Sequence, residues 1–311
     1  MDRFFRGQIG LLILGGIFGL VLTWSEVSQA QACCAAGAAV SPGRLALHEK
    51  ALLGVQLTPA WGLGSYDAES TFHGKAKGTK QMDLTLTPFI TLKLVDRLQW
   101  GINVPFVMSV RKGETSEAEV GGGVGDATTN LRYDFIRDGE YRYVPGIAML
   151  GAVSAPTGRT PESARNMLGS DATGLGVWQF GGGLWCERSF EKWLLTGALL
   201  VTLRSARTVA DFKSQLSPQV TGILAVGYSF SHNWGLAVFG SYSTEGRAKI
   251  DGERIDGTVK RLLRLNLASS FTWRDVWRFQ AGAFINPPVD QVAQNQLSST
   301  GFSFTMMRSW M

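Results

Sequence analysis

MDLTLTPFITLKL, residues 82–94, contains no long apolar run, yet its even positions from Met82 to Leu94 are apolar except for Pro88. The odd positions carry Asp83, three threonines, Phe89 and Lys93. Successive side chains of an extended strand point to opposite faces, so this stretch is a strand with one apolar face. That face meets either a protein core or lipid, and the surrounding sequence has to decide which.

The alternation recurs along the chain. Leu53, Val55, Leu57, Trp61 and Leu63 precede the stretch, and Leu98, Trp100, Ile102, Val104, Phe106, Met108 and Val110 follow it. A fourth strand sets Leu131, Tyr133 and Phe135 against Asn130, Arg132 and Asp134, and a fifth runs over 143–155. Further strands are read at 174–187 and from Trp193, Val220, Trp234, Leu263, Trp277 and Phe302 onward. This gives about twelve strands, the even number expected of a membrane barrel.

Loop lengths keep a rhythm, long near 66–80, 111–123 and 156–173 and short near 95–97, 137–141 and 188–192. Short periplasmic turns opposite long extracellular loops are the pattern of an outer-membrane barrel. Trp100, Trp185, Trp193, Trp234, Trp273, Trp277 and Trp310 fall near the short-turn ends and are read as an interfacial aromatic belt. Arg308 breaks the apolar face of the last strand, where a long side chain can snorkel. The expected fold is therefore all-β: a transmembrane antiparallel up-and-down β-barrel of about twelve strands.

The N-terminus agrees with export. Arg3 and Arg6 precede the uncharged stretch Ile9 to Trp24, and Ser28-Gln29-Ala30 or Ala30-Gln31-Ala32 offers a cleavage site. Residues 1–30 are read as a signal peptide, 31–50 as an N-terminal periplasmic or plug-like segment, and 51–311 as the barrel. The expected location is the outer membrane of a Gram-negative bacterium. Cys33 and Cys34 read as small residues of a mature N-terminus, with lipidation of Cys33 the alternative. Adjacent cysteines plus a distant Cys186 make neither a disulfide framework nor a metal motif. A net charge of +5 is too mild to point to nucleic acid.

Catalytic chemistry finds little support. His48 precedes the first strand, His73 lies in a long loop and His232 in a short turn, so the three are expected in different parts of the barrel, with no nucleophile paired to them. Gly121 to Asp126, GGGVGD, lacks the strand-before, helix-after context of a phosphate loop and is read as a loop leading into the fourth strand. The chain is read as not an enzyme, with neither a cofactor nor a metal site.

Function must then lie on the inward face. Asp83, Phe89, Lys93, Asn103, Asn130, Arg132, Asp134, Gln179, Phe239, Arg264, Asn266, Arg278, Gln280 and Phe284 are the candidate lumen residues. Two readings stay open for the arginines: a basic constriction favouring anionic solutes, or pairing with Asp83, Asp134, Glu187 or Glu245 that fills the lumen. The phenylalanines could serve an aromatic or fatty solute or pack against a plug from residues 31–50.

GVGDATTNLRYDFI, VSAPTGR and DATGLGVWQFGGGLW, within residues 120–187, resemble the outer-membrane transport family associated with the meta-pathway of phenol degradation, itself similar to fatty-acid and aromatic-hydrocarbon channels. The resemblance rests on Gly123, Gly125 and Asp126 and on Pro156, Thr157 and Gly158. It implies a passive channel for small hydrophobic, aromatic or anionic molecules and supplies no catalytic residue. The alternative is a structural barrel anchoring a larger cell-envelope complex. Expected partners are membrane lipids, a small solute and, on the alternative, periplasmic or envelope proteins.

Overall fold

A computed structural model describes residues 43–311. Residues 1–30, read as a signal peptide, and 31–42, read with Cys33 and Cys34 as the start of a plug-like segment, lie outside the described residues. The chain forms twelve barrel strands. They are β1 (Ala51–Tyr66), β2 (Lys80–Val95), β3 (Leu98–Asn103, continued by Phe106–Lys112), β4 (Glu119–Val124, continued by Thr128–Ile136), β5 (Gly146–Ser154) and β6 (Gln179–Phe190). The second half comprises β7 (Trp193–Arg204), β8 (Gln219–Ser229), β9 (Trp234–Glu245), β10 (Lys260–Trp273), β11 (Trp277–Ile285) and β12 (Leu297–Trp310). Each strand pairs antiparallel with its sequence neighbours, and β1 pairs with both β2 and β12, which closes the barrel. Closure removes every strand edge, as a sheet in hydrocarbon requires.

The opening stretch supplies most of β2. Its even residues share the outer face with their partners, Leu86 with Leu57 and Ile90 with Leu53. Large apolar side chains stand exposed all round that surface, among them Leu224, Leu184, Leu199 and Val238. In water such a belt would drive aggregation; it belongs against lipid tails. No described helix is long and apolar enough to cross a membrane, so the strands make the crossing.

Two-residue turns join β2 to β3 and β6 to β7, and at Arg274 and Asp275 both residues take the positive φ that a tight hairpin demands. Two strands are interrupted. Pro105, which has no N–H to give the ladder, divides β3, and Gly125 to Ala127 divides β4 beside it. The glycine-rich segment, expected as a loop, is itself strand: the connection is only 113–118, and Gly121 pairs with Ser109.

Candidate functional site

Strand parity places the candidate lumen residues. Asp83 and Ser109 face inward, where Arg111 meets Asp83 at 2.6 Å. Asn103 lies opposite Phe89 on the next strand, and Gln179, at the loop end, accepts from Arg204 Nε at 3.3 Å. Gln280 is buried on β11. The remaining candidates gather in two places: Phe89, Lys93, Asn130, Arg132, Asp134 and Arg278 toward the short-turn end, and Phe239, Arg264, Asn266 and Phe284 near mid-height.

The aromatic belt needs one correction. Trp193, Trp234, Trp273 and Trp310 are exposed on the outer face near the short turns, with Trp100 and Trp277 half-buried among them. Arg308 lies over the rings of Trp277 and Trp310. Trp185, in contrast, is 2% exposed and inside the barrel; its Nε1 donates to Glu187 at 2.9 Å and the Arg132 guanidinium covers its ring. The physical reason is parity: Trp185 shares the odd face of β6 with Gln179 and Glu187, while Phe180 and Leu184 point outward.

At the short-turn end, residues 43–50 enter the lumen. Glu49 and Arg278 form an almost wholly buried ion pair, with Arg278 Nη2 2.6 Å from Glu49 Oε1, and Arg278 also donates to the carbonyl of Arg44 at 3.2 Å. Arg44 is bidentate to Glu187, which also lies 3.8 Å from Arg132; Arg132 in turn pairs with Asp134 at 2.9 Å. Gln99 accepts from the Leu45 N–H at 3.2 Å, Thr91 donates to the Gly43 carbonyl at 3.1 Å, and Lys93 donates to the Leu47 carbonyl at 2.5 Å. Leu45 packs with Leu52, Phe89 and Met307, each fully buried side chain contributing roughly 1.5–3 kcal/mol. Gly43 sits so close to Phe89 and Thr91 that a Cβ would lie 2.8 Å from each. Beneath the segment is a cavity of about 540 Å³ whose lining includes both His48 and His232. Those two histidines, expected apart, are brought to one cavity because the segment before β1 folds back to the turn after β8.

At the loop end, residues 156–178 fold onto the inner face of β4. Ser170 and Asp171 are buried against Gly121, where a Cβ would lie 2.6 Å from Ser170 Oγ. The Asp171 carboxylate accepts from the Arg165 N–H at 3.0 Å and pairs with Arg159 at 2.5 Å. The Arg165 backbone N–H is the main cause holding its pKa down at about 2, with Arg159 and the Asn166 N–H adding to it. Asp126 accepts from the N–H groups of Gly158 and Leu175, and Thr157 donates to the Gly125 carbonyl at 2.6 Å. The residues behind the family resemblance thus form a clasp that fills the hydrogen bonds left open where β4 is interrupted.

Between the two ends, one inner wall is apolar and small. Ala148, Leu194, Ile223, Ala225, Ala237, Phe239 and Ala268 are buried on it. A cavity of about 150 Å³ runs along Leu150, Ala152, Gly181, Trp185 and Leu200, with Asn130 and Arg132 at its polar side. Arg204 pairs with Glu245 at 2.5 Å above this wall.

Sequence reasoning missed the segment's own anchors, Arg44 and Glu49, and the clasp carboxylate Asp171. A buried-parity argument on β6 would have found Trp185 beside Glu187; nothing local marks Arg44 as the partner of a residue 143 positions away. Among the described residues no group of three or more His, Cys, Asp or Glu could hold a metal ion.

A closed twelve-stranded barrel with an apolar outside, a polar and apolar inside, and both described ends at the short turns is a transmembrane β-barrel of the bacterial outer membrane. Its fold is similar to that of an outer membrane channel from Pseudomonas putida F1, with a TM-score of 0.69 at 16% identity over 85% of this chain and 97% of that one. The β domain of the Bordetella autotransporter BrkA is similar with a TM-score of 0.50 at 9% identity, over 84% of this chain and 100% of that one. No family model matches the sequence, and no curated protein matches it. At these identities the likeness is one of fold.

Proposed function

We propose that the protein is a passive outer-membrane channel for small hydrophobic, aromatic or anionic molecules, with residues 43–50 as a stopper at its periplasmic end. The observation that carries this reading is the cavity lined by alanine, glycine and leucine on β5 to β7. The cavity of about 150 Å³ along Leu150, Ala152, Gly181 and Leu200 has few hydrogen-bonding groups on this side, which suits solutes with little polarity. A barrel serving only as an anchor has no use for such a cavity. The stopper is attached by a few strong contacts and enters from the periplasmic side, so it blocks the lumen without belonging to the wall.

Conductance in planar bilayers tests the reading. The parent protein should conduct weakly, and the Arg44→Ala, Glu49→Ala double variant should raise open probability by about a hundredfold or more. A double variant that stays closed to ions and to small aromatics in liposome uptake, while the parent co-purifies with periplasmic proteins, would sink the channel reading in favour of an anchoring barrel.

A further inference from the structure

We infer that Arg264 and Phe284 form a mid-lumen subsite for small organic carboxylates with an apolar body; the inference rests on the barrel being a solute channel. Five inward arginines have a carboxylate in ion-pair contact: Arg44 with Glu187, Arg111 with Asp83, Arg132 with Asp134, Arg204 with Glu245, and Arg278 with Glu49. Arg264 has no carboxylate within that distance among the described residues. Its guanidinium instead stacks 4.6 Å from the centroid of the Phe284 ring, and its Nε donates to Asn286 Oδ1 at 3.0 Å. Asn286 is 2% exposed and is fixed in turn by Ser299, whose Oγ accepts from its Nδ2 at 3.3 Å. The arginine is therefore held in place by neutral groups, and its charge is not cancelled by the barrel.

A guanidinium presents N–H donors in a planar fork that fits a carboxylate bidentately. Here the described hydrogen bond engages Nε only, which leaves Nη1 and Nη2 for a ligand. Strand register supplies the apolar half of the subsite. Asn266, the next inward residue after Arg264, lies opposite Phe239 on one side and Phe284 on the other. One inward position toward the loops, Leu262 and Ser243 border a vestibule of about 310 Å³. By strand register, the order inward from that vestibule, which Arg204, Glu245 and Lys260 also line, is the Arg264 cation and then the two rings. A neutral hydrocarbon gains only the rings and an inorganic anion only the cation, so the site favours a molecule offering both.

The test is calorimetric titration of the full-length, detergent-solubilised protein with benzoate and with benzyl alcohol, alongside bilayer conductance. Benzoate should bind at least about tenfold more tightly than benzyl alcohol, the order expected of a hydrogen bond to a charged group. Arg264→Gln should remove that preference, Arg264→Lys should keep part of it, and Phe284→Leu should weaken both ligands. Heat-modifiable gel migration checks folding, and Arg264→Lys carries the test if the glutamine variant does not fold. Equal binding of the two ligands by the parent, or benzoate affinity unchanged in Arg264→Gln, would overturn the inference. Benzoate binding without any conductance would sink the channel reading and spare the subsite; conductance without benzoate binding would do the reverse.

Discussion

The two ends of the lumen are occupied by chain in different ways. At the periplasmic end, residues 43–50 hold on chiefly through two carboxylate–arginine contacts and the Leu45 side chain, with hydrogen bonds between their backbone and Gln99, Thr91 and Lys93 added. At the loop end, residues 156–178 are stitched into β4 by carboxylates and hydroxyls that bind backbone groups. A stopper held by few, strong, buried charges releases when one partner is lost, since a buried ion left behind is costly. A loop held by many backbone hydrogen bonds yields a little at a time, because each is worth only about 0.5–1.5 kcal/mol net. On the channel reading proposed above, the periplasmic end is the one expected to open.

The strongest way to break this contrast is Glu49→Ala. It takes a carboxylate from buried Arg278 and should destabilise the seated stopper by about 3–5 kcal/mol, raising open probability in bilayers by about a hundredfold or more. Arg44→Ala should do less, because Glu187 retains Arg132 at 3.8 Å. Equal effects of the two would mean that the segment leaves piecemeal.

Gly121→Leu attacks the other end. Its side chain must enter the space of Ser170 and the Asp171 backbone, an overpacking cost of about 1–3 kcal/mol. Trypsin cleavage at Arg165 in reconstituted vesicles should speed up, with conductance changed far less than in Glu49→Ala. A jump in conductance as large as that of Glu49→Ala would show that the loop, and not the stopper, closes the lumen.

Asp126→Asn should act more weakly, lowering the midpoint of heat-modifiable unfolding by the equivalent of about 1–2 kcal/mol, as one of two charge-assisted acceptors becomes an amide. The smallest effect is expected from pH. Asp171 has its pKa lowered from 3.8 to about 2, so its contribution is fully present above the higher value and is lost only as pH falls through the lower one. Amide exchange protection at Arg165 and Asn166 should be flat from neutral pH down to about pH 4. A drop already at pH 5 would place the control of that loop elsewhere.

Much of the architecture was legible in the sequence because side-chain parity in a strand is a local property. Asp83, Phe89 and Lys93 could be set opposite Met82, Ile90 and Leu94 from spacing alone, and the long and short loops gave the barrel its two ends. The same rule, applied to β6, places Trp185 inside with Gln179; grouping tryptophans by nearness to turns overrode it and put Trp185 on the wrong face. The glycines of 121–123 were legible as unusual but not as strand, because what they make room for is a loop some 50 residues later.

By itself, the sequence determined a closed barrel with lipid outside and a mixed surface inside, since alternation, loop rhythm and the lack of any later apolar span leave no other way to satisfy the backbone in a membrane. Only the tertiary structure decided which charges cancel. Arg44, Arg204 and Arg278 find carboxylates on other elements of the fold while Arg264 finds a phenyl ring and an amide. Ion pairing depends on distances of a few ångströms between residues brought together by barrel closure, and no pattern of neighbours along the chain encodes those distances.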